Sequence, residues 1–203
     1  MNYDEKCQLL VVGDSSVGKT SIITRFTNGT FNPNYLATVG IDNFSKDETI
    51  DDKNIKIKMW DTAGQERFKA LANGFFRNAQ GIILAYDITN LDSFQNLQFW
   101  VDSIKNNLGN DLKIPIVVIG NKIDLLEDRE VKTEDAESFC KKINVPYFET
   151  SAKTGENIDN SIRSLVKKVL NTNSDNQGEN NAKSNIKINT EEHQKKEKSG
   201  CGC

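Results

Sequence analysis

The sequence predicts an α/β domain: a mostly parallel sheet with helices on both faces. Three observations carry that reading. Apolar runs of strand length alternate with helical patterns up to about residue 170. Two of those runs, Gly81 to Asp87 and Ile114 to Gly120, are continuous rather than alternating, as in parallel strands covered on both sides. The motif-bearing segments fall at the carboxyl ends of the strand-like runs, where ligands of such sheets bind, and repeated strand–helix units build parallel sheets with right-handed crossovers.

Each element has its own justification. Gln8 to Val12 is strand-like and runs into Gly13. Lys19 to Thr27 reads as a helix, with Ile22, Ile23 and Phe26 on one face. Ile55, Ile57 and Met59 alternate with Lys56 and Lys58, the pattern of a half-buried strand. The turn before that strand is read as Asp51-Asp52-Lys53-Asn54. Phe94, Leu97, Trp100 or Val101, Ile104 and Leu108 recur at helical spacing, so one helix is expected there, and Asp92 with Gln95 resembles its capping pair. Thr133 to Lys142 reads as a helix before a short strand, Pro146 to Thr150. The final stripe is Ile158, Ile162, Leu165, Val166, Val169 and Leu170.

Composition bounds the chemistry. The 203 residues suit one domain with an appendage, at roughly 150 residues per domain. The expected division is a folded domain over 1–170 and a tail over 171–203. From 171 to 200 there is no aromatic residue, and Ile186 and Ile188 are the only large aliphatics. Such a segment buries too little apolar surface to offset its ordering entropy and is expected to be disordered. Its five lysines (183, 187, 195, 196, 198) cancel five acids (175, 179, 191, 192, 197), so the folded part carries the net charge of −3. No nucleic-acid footprint follows from that balance. No apolar run approaches the ~20 residues of a membrane span, and the first residues lack a secretory plan. The single histidine, His193, lies in the tail, which excludes a Ser-His-Asp triad, a core His-Cys dyad and a multi-histidine metal site. Four cysteines are too few for a disulfide scaffold. Cys7 and Cys140 read as small buried hydrophobes. A soluble, reduced, intracellular domain is the expectation.

Gly13-Asp14-Ser15-Ser16-Val17-Gly18-Lys19-Thr20 fits G-x-x-x-x-G-K-[ST] between a strand and a helix. The glycines let successive N–H groups form a concave nest for phosphate oxygens. The helix N-terminus adds positive potential. Lys19 supplies a point charge to the outer phosphates, and Thr20 offers a hydroxyl to Mg²⁺. Asn121-Lys122-Ile123-Asp124 follows the run ending at Gly120 and selects the base. The Asp124 carboxylate only accepts hydrogen bonds; guanine presents two adjacent donors, N1–H and the 2-amino group, where adenine has an acceptor and none. Pairing of that kind rejects the wrong ligand by roughly 10⁴–10⁵. Ser151-Ala152-Lys153, after the strand ending at Thr150, is expected to close the same pocket.

These motifs, with Thr38-Val39-Gly40, WDTAGQERF (60 to 68), YDIT (86 to 89) and the terminal Cys-Gly-Cys, resemble the Ras-like small GTPases, and within them the Rab family. The resemblance covers about residues 7 to 170 and the last three. It implies a P-loop GTPase domain with a six-stranded, mostly parallel sheet flanked by helices on both faces, which binds GTP and GDP through residues 13–21, Phe31, Tyr35, Thr38, Asp61, Gly64, the NKxD residues Asn121, Lys122 and Asp124, and Ser151-Ala152-Lys153. Ser21 ends the first of those segments. Phe31 is implied to cover the guanine edge-on. Thr20, Thr38 and Asp61 are implied to hold Mg²⁺, Asp61 through a water. Gly64 is implied to donate to the γ-phosphate, and Gln65 to orient the attacking water. Losing that phosphate would release the segments holding Thr38 and Gln65. Intrinsic hydrolysis is expected to be very slow, with a partner adding up to roughly 10⁵-fold, the magnitude of the Ras template. No activating arginine of the chain is assigned to the site.

The effector region implied is Tyr35, Leu36, Ala37, Thr38, Val39, Gly40, Ile41, Asp42 and Asn43, with Trp60 and Phe75 or Phe76. One departure stands out. The family places an aromatic where this chain has Asn43, and Phe44 follows one position later, so its ring should face the other side of the strand. The C-terminus is not a C-a-a-X end; the resemblance implies geranylgeranyl groups on Cys201 and Cys203, and two lipids anchor where one is marginal. Its tail of ~30 residues spans about 30 Å on average. Implied partners are effectors, a guanine nucleotide exchange factor, a GTPase-activating protein, a prenyl-transferase escort and a GDP-dissociation inhibitor. The implied location is the cytoplasmic face of endomembranes or the plasma membrane, cycling with the cytosol, and the implied role is vesicle traffic. Competing readings are an ATP-using P-loop enzyme, a module holding GTP without turnover, and a redox or metal protein using its cysteines.

Overall fold

The computed structural model describes residues 3–33, 38, 40–62, 74–109 and 114–173. Six strands form one sheet: β1 (Glu5–Val12), β2 (Ile41–Ile50), β3 (Lys53–Thr62), β4 (Gly81–Asp87), β5 (Ile116–Asn121) and β6 (Tyr147–Thr150). Their order is β2-β3-β1-β4-β5-β6. Every pair is parallel except β2 with β3. The helices are α1 (Lys19–Asn28), α2 (Leu91–Gln95), α3 (Leu97–Leu108), α4 (Thr133–Lys142) and α5 (158–173), with a 3₁₀ segment at Ile123–Asp128. The residues up to Val169 form one compact unit.

The apolar patterns explain the layers. All of β4 and β5 is buried, as their unbroken runs require. On one face Leu10, Val12, Ile82, Leu84 and Tyr86 pack with Trp100, Val101 and Ile104 of α3 and with Ala136 and Cys140 of α4. α1 and α5 bury their own stripes, Ile22, Ile23 and Phe26 and then Ile158, Ile162 and Leu165. At Gly81 the packing leaves no room for a side chain: a Cβ there would stand 2.9 Å from Val169 and 2.9 Å from Leu9. Cys7 and Cys140 are buried and free, and burial pushes each thiol up to about 12.

Two local expectations are corrected. The turn before β3 is tighter than Asp51–Asn54: β2 runs to Ile50 and β3 starts at Lys53. Asp51 (φ 50°) and Asp52 (φ 63°) both take left-handed backbone, the geometry a two-residue hairpin needs. The expected single helix through Phe94 and Leu108 is instead two segments meeting at Asn96. Asp92 is not the cap either. Asn90 is, its Oδ1 accepting the Ser93 N–H at 2.9 Å.

Because the interior strands are parallel, their carboxyl ends share one edge. Gly13, Thr62, Asp87, Asn121 and Ser151 all lie there, where ligands of such sheets bind.

Candidate nucleotide site

The loop between β1 and α1 is shaped by sterics. Gly13 has φ 144° and Gly18 φ 96°. A Cβ on Gly13 would strike the Ala85 carbonyl of β4, and one on Gly18 would strike the Asn121 amide. Ser16 adds a third positive φ, 65°, so the loop curls on itself before α1 begins. Lys19 is 5% exposed and lies back along the loop, its Nζ donating to the carbonyls of Gly13 at 2.9 Å and Asp14. Burial lowers its pKa to about 8, with Asp61 and Asp14 pulling the other way. The Asp14 carboxylate turns away from the nest. It accepts from Asn96 Nδ2 at 2.7 Å and Trp100 Nε1 at 2.8 Å.

Thr20, Thr38 and Asp61 converge. The two hydroxyl oxygens are 2.8 Å apart. Thr38 donates to Asp61 Oδ2 at 3.1 Å, and Thr20 donates to the same oxygen. Asp61 is fully buried, and its Oδ1 has no hydrogen-bond partner among the described residues. Burial raises its pKa; bonds from Thr20 and Thr38 and the charge of Lys19 oppose that.

The opposite end of the site is built on β5 and β6. Asn121 is 1% exposed. Its Nδ2 donates to the Val17 carbonyl at 2.9 Å, and its Oδ1 accepts from the Ala152 N–H at 3.1 Å and from Thr150. One side chain thus joins the phosphate loop to the loop after β6. Lys122 turns the chain with φ 75° and pairs with Asp87. Asp124 Oδ1 accepts from Ser151 Oγ at 2.6 Å, while Lys153 stands 3.6 Å from its Oδ2.

A cavity of about 460 Å³ lies between the two ends. Of the residues expected there, Ser15, Ser16, Gly18, Lys19, Thr20 and Ser21 wall the phosphate side. Asn121, Lys122, Asp124, Ala152 and Lys153 wall the other, and Phe31 and Thr38 line the cavity as well. Gly13, Asp14, Val17, Asp61 and Ser151 stand behind the wall, shaping or holding residues that face it. Tyr35, Leu36, Ala37, Val39, Gly64, Gln65, Cys201 and Cys203 lie outside the described residues.

In the effector region, Gly40 has φ 88°, and β2 then starts at Ile41. Asp42 pairs with Asp61, Asn43 with Trp60 and Phe44 with Met59. Asn43 is exposed and Phe44 half-buried, so the ring has moved to the other face, as the one-residue shift requires. Trp60 keeps an edge-on contact with Phe75, centroids 4.9 Å apart, and Lys58 Nζ sits 4.1 Å over its ring. Phe76 points instead into the core.

Sequence reasoning missed Arg25, Asn96, Trp100 and Thr150. None belongs to a local motif. Each acts on a loop more than fifty residues away or, for Thr150, on a strand-end neighbour 29 residues away. The sequence carries no signal for them, since Asn96 lies off the apolar stripe and leaves its spacing unbroken.

A phosphate nest at a strand–helix junction, facing a carboxylate-bearing loop across one cavity, defines a P-loop nucleotide-binding protein of the α/β class. A model of the Ras family matches residues 8–171. Ras-related protein Rab-13 of Rattus norvegicus is 44% identical over 168 residues, 83% of this chain and 82% of the relative. Ras-related protein Rab-26 of Mus musculus is 41% identical over 82% of this chain and 64% of its own. Ras-related protein Rab-27B of Rattus norvegicus is 40% identical over 83% of this chain and 82% of its own. The chain belongs to the Ras family as a Rab-type small GTPase, which binds guanine nucleotide and hydrolyses GTP to GDP.

Proposed function

We propose that the 460 Å³ cavity holds GTP with Mg²⁺ and that the chain works as a membrane-anchored switch in vesicle traffic. The observation that carries the metal is the cluster of Thr20, Thr38 and Asp61, in which a buried carboxylate oxygen lacks a partner among the described residues. Buried polar atoms are nearly always satisfied, and one carboxylate with two hydroxyls is a hard-oxygen set suited to Mg²⁺. When bound, Mg²⁺ neutralises charge on the outer phosphates.

The chain's own residues do the rest. The N–H groups of the 13–18 loop cradle the phosphates. Lys19 leaves the carbonyls of Gly13 and Asp14 for phosphate oxygens, and the negative charge there favours its protonated form. Asp124 accepts from guanine N1–H and the 2-amino group, held by Ser151. Phe31 covers the base edge. Thr38 and Gly64 donate N–H groups to the γ-phosphate, Tyr35 counts among the nucleotide-binding residues, and Gln65 orients the attacking water. Departure of that phosphate releases both segments, which changes the face that effectors read. Geranylgeranyl groups on Cys201 and Cys203 anchor the chain, with the 171–203 tail as spacer, and the family's exchange, activating, escort and dissociation-inhibitor proteins drive the cycle between membrane and cytosol.

Two measurements test this. Multiple-turnover GTP cleavage should fall sharply in Gln65→Leu; equal rates refute the role of Gln65. Chelation with EDTA should speed GDP release from the unaltered chain far more than from Asp61→Ala; equal acceleration refutes the metal cluster.

A further inference from the structure

Arg25 sits in the last turn of α1, six residues after Lys19. One of its N–H groups serves its own helix, Nη1 donating to the Gly29 carbonyl at 2.7 Å. Two more reach away from the helix. Nε donates to the Ala152 carbonyl at 2.7 Å, and Nη2 donates to the Lys153 carbonyl. All three acceptors are main-chain carbonyls, so the guanidinium grips the path of the backbone rather than a side chain. A planar fork does this with less lost freedom than an ammonium could, and charged donors make the stronger bonds.

The gripped loop is the one that carries Ser151. Ser151 Oγ donates to Asp124 Oδ1 at 2.6 Å and accepts the Thr154 N–H at 3.0 Å. The loop closes on itself through the Gly155 N–H and the Ser151 carbonyl, at 2.8 Å. A Cβ on Gly155 would touch Arg25 Cδ at 3.6 Å, so the stem of Arg25 lies along the loop as well. From inside, Asn121 holds Ala152; from outside, Arg25 holds Ala152 and Lys153.

We propose that Arg25 is a positioning residue for base recognition: it fixes the 151–155 loop, and through Ser151 the carboxylate of Asp124. This rests on the reading that Asp124 accepts from guanine. A carboxylate free to rotate loses most against a ligand that needs both of its oxygens. GDP offers N1–H and the 2-amino group; inosine diphosphate (IDP) offers N1–H alone and is otherwise the same molecule. Loosening the loop therefore weakens GDP more than IDP, whereas general destabilisation weakens both alike.

The test measures release of fluorescently labelled GDP and IDP from the full chain, for the unaltered protein, Arg25→Gln and Arg25→Lys. In Arg25→Gln, GDP release should rise about tenfold, the scale of one lost charged hydrogen bond, and IDP release less. The IDP-to-GDP ratio of rates should narrow by about threefold. Arg25→Lys keeps the charge but not the fork, so its ratio should narrow as well; it decides alone if Arg25→Gln does not fold. An unaltered chain that discriminates, with ratios unchanged in the variants, overturns this inference alone. An unaltered chain that does not discriminate overturns the Asp124 reading and this inference with it.

Discussion

Glu149 is the most heavily bonded carboxylate in the described fold, and its replacement by glutamine gives a sharp stability test. Oε1 and Oε2 each accept from Arg129 at 2.8 Å. Oε1 also accepts from Thr133 at 2.9 Å and Tyr147 at 2.9 Å. In Glu149→Gln one oxygen becomes an NH₂ group. Set at the Oε2 position, it keeps the Thr133 and Tyr147 bonds but turns two donors toward each other at Arg129. One charged hydrogen bond and one ion pair are lost. Charged hydrogen bonds contribute roughly 1.5–3 kcal/mol. The two side chains are about one-fifth exposed (20% and 22%), and that solvent moderates the loss. A cost of about 2 kcal/mol results, or a fall in Tm of about 4–8 °C for a domain of this size. Acid titration gives a second readout. Burial pushes the Glu149 pKa up, but the bonds from Arg129, Tyr147 and Thr133 outweigh it and the net shift is down. A lowered carboxylate pKa contributes stability that is complete above the ordinary value, roughly 4.3, and is lost as pH falls through the folded one. Thermal unfolding of the GDP-loaded chain from pH 7 to pH 3.5 should show that loss in the unaltered protein and much less of it in the variant. A Tm difference under about 1 °C at pH 7, or parallel acid curves, refutes the reasoning.

Two further predictions use the same methods. Gly120→Ala should cost about 1–3 kcal/mol as an overpacked site, because a Cβ there would lie 2.7 Å from Tyr86 Oη and 2.9 Å from Tyr147 Oη; a double mutant with Tyr147→Phe should cost less than the sum, and strict additivity in urea unfolding counts against the contact. Trp100→Phe removes the indole donor to Asp14 while retaining a ring, so GDP release should quicken by about threefold or more, the effect of one partly lost hydrogen bond; an unchanged release rate would show that the tether does not hold the phosphate loop.

The elements legible in the sequence were those whose signal is local. Gly13 to Thr20 names its own geometry. The uninterrupted runs at β4 and β5 could only be buried strands once their flanking turns were seen. Asp124 and Ser151 were placed at one pocket from their strand-end positions, and they touch. What could not be read were bonds between distant segments. Two helical segments meet at Asn96 where the apolar spacing says one helix should continue, and the Asn96 amide donates to Asp14, 82 positions earlier. Asp92 and Gln95 match a capping pattern, yet Asn90 is preferred, since the helix begins one residue after it and Ser93 supplies the N–H. Arg25 looks like an ordinary helix-ending cation, and only the folded chain shows two of its donors on carbonyls 127 and 128 residues away.

Asn121 places its two amide ends on different walls of the cavity. A ligand fragment that occupied one wall would stiffen only its own side, while a whole nucleotide stiffens both at once. Guanosine alone and pyrophosphate alone should therefore bind far more weakly than their separate contacts suggest, and the intact molecule should act as the keystone of an arch.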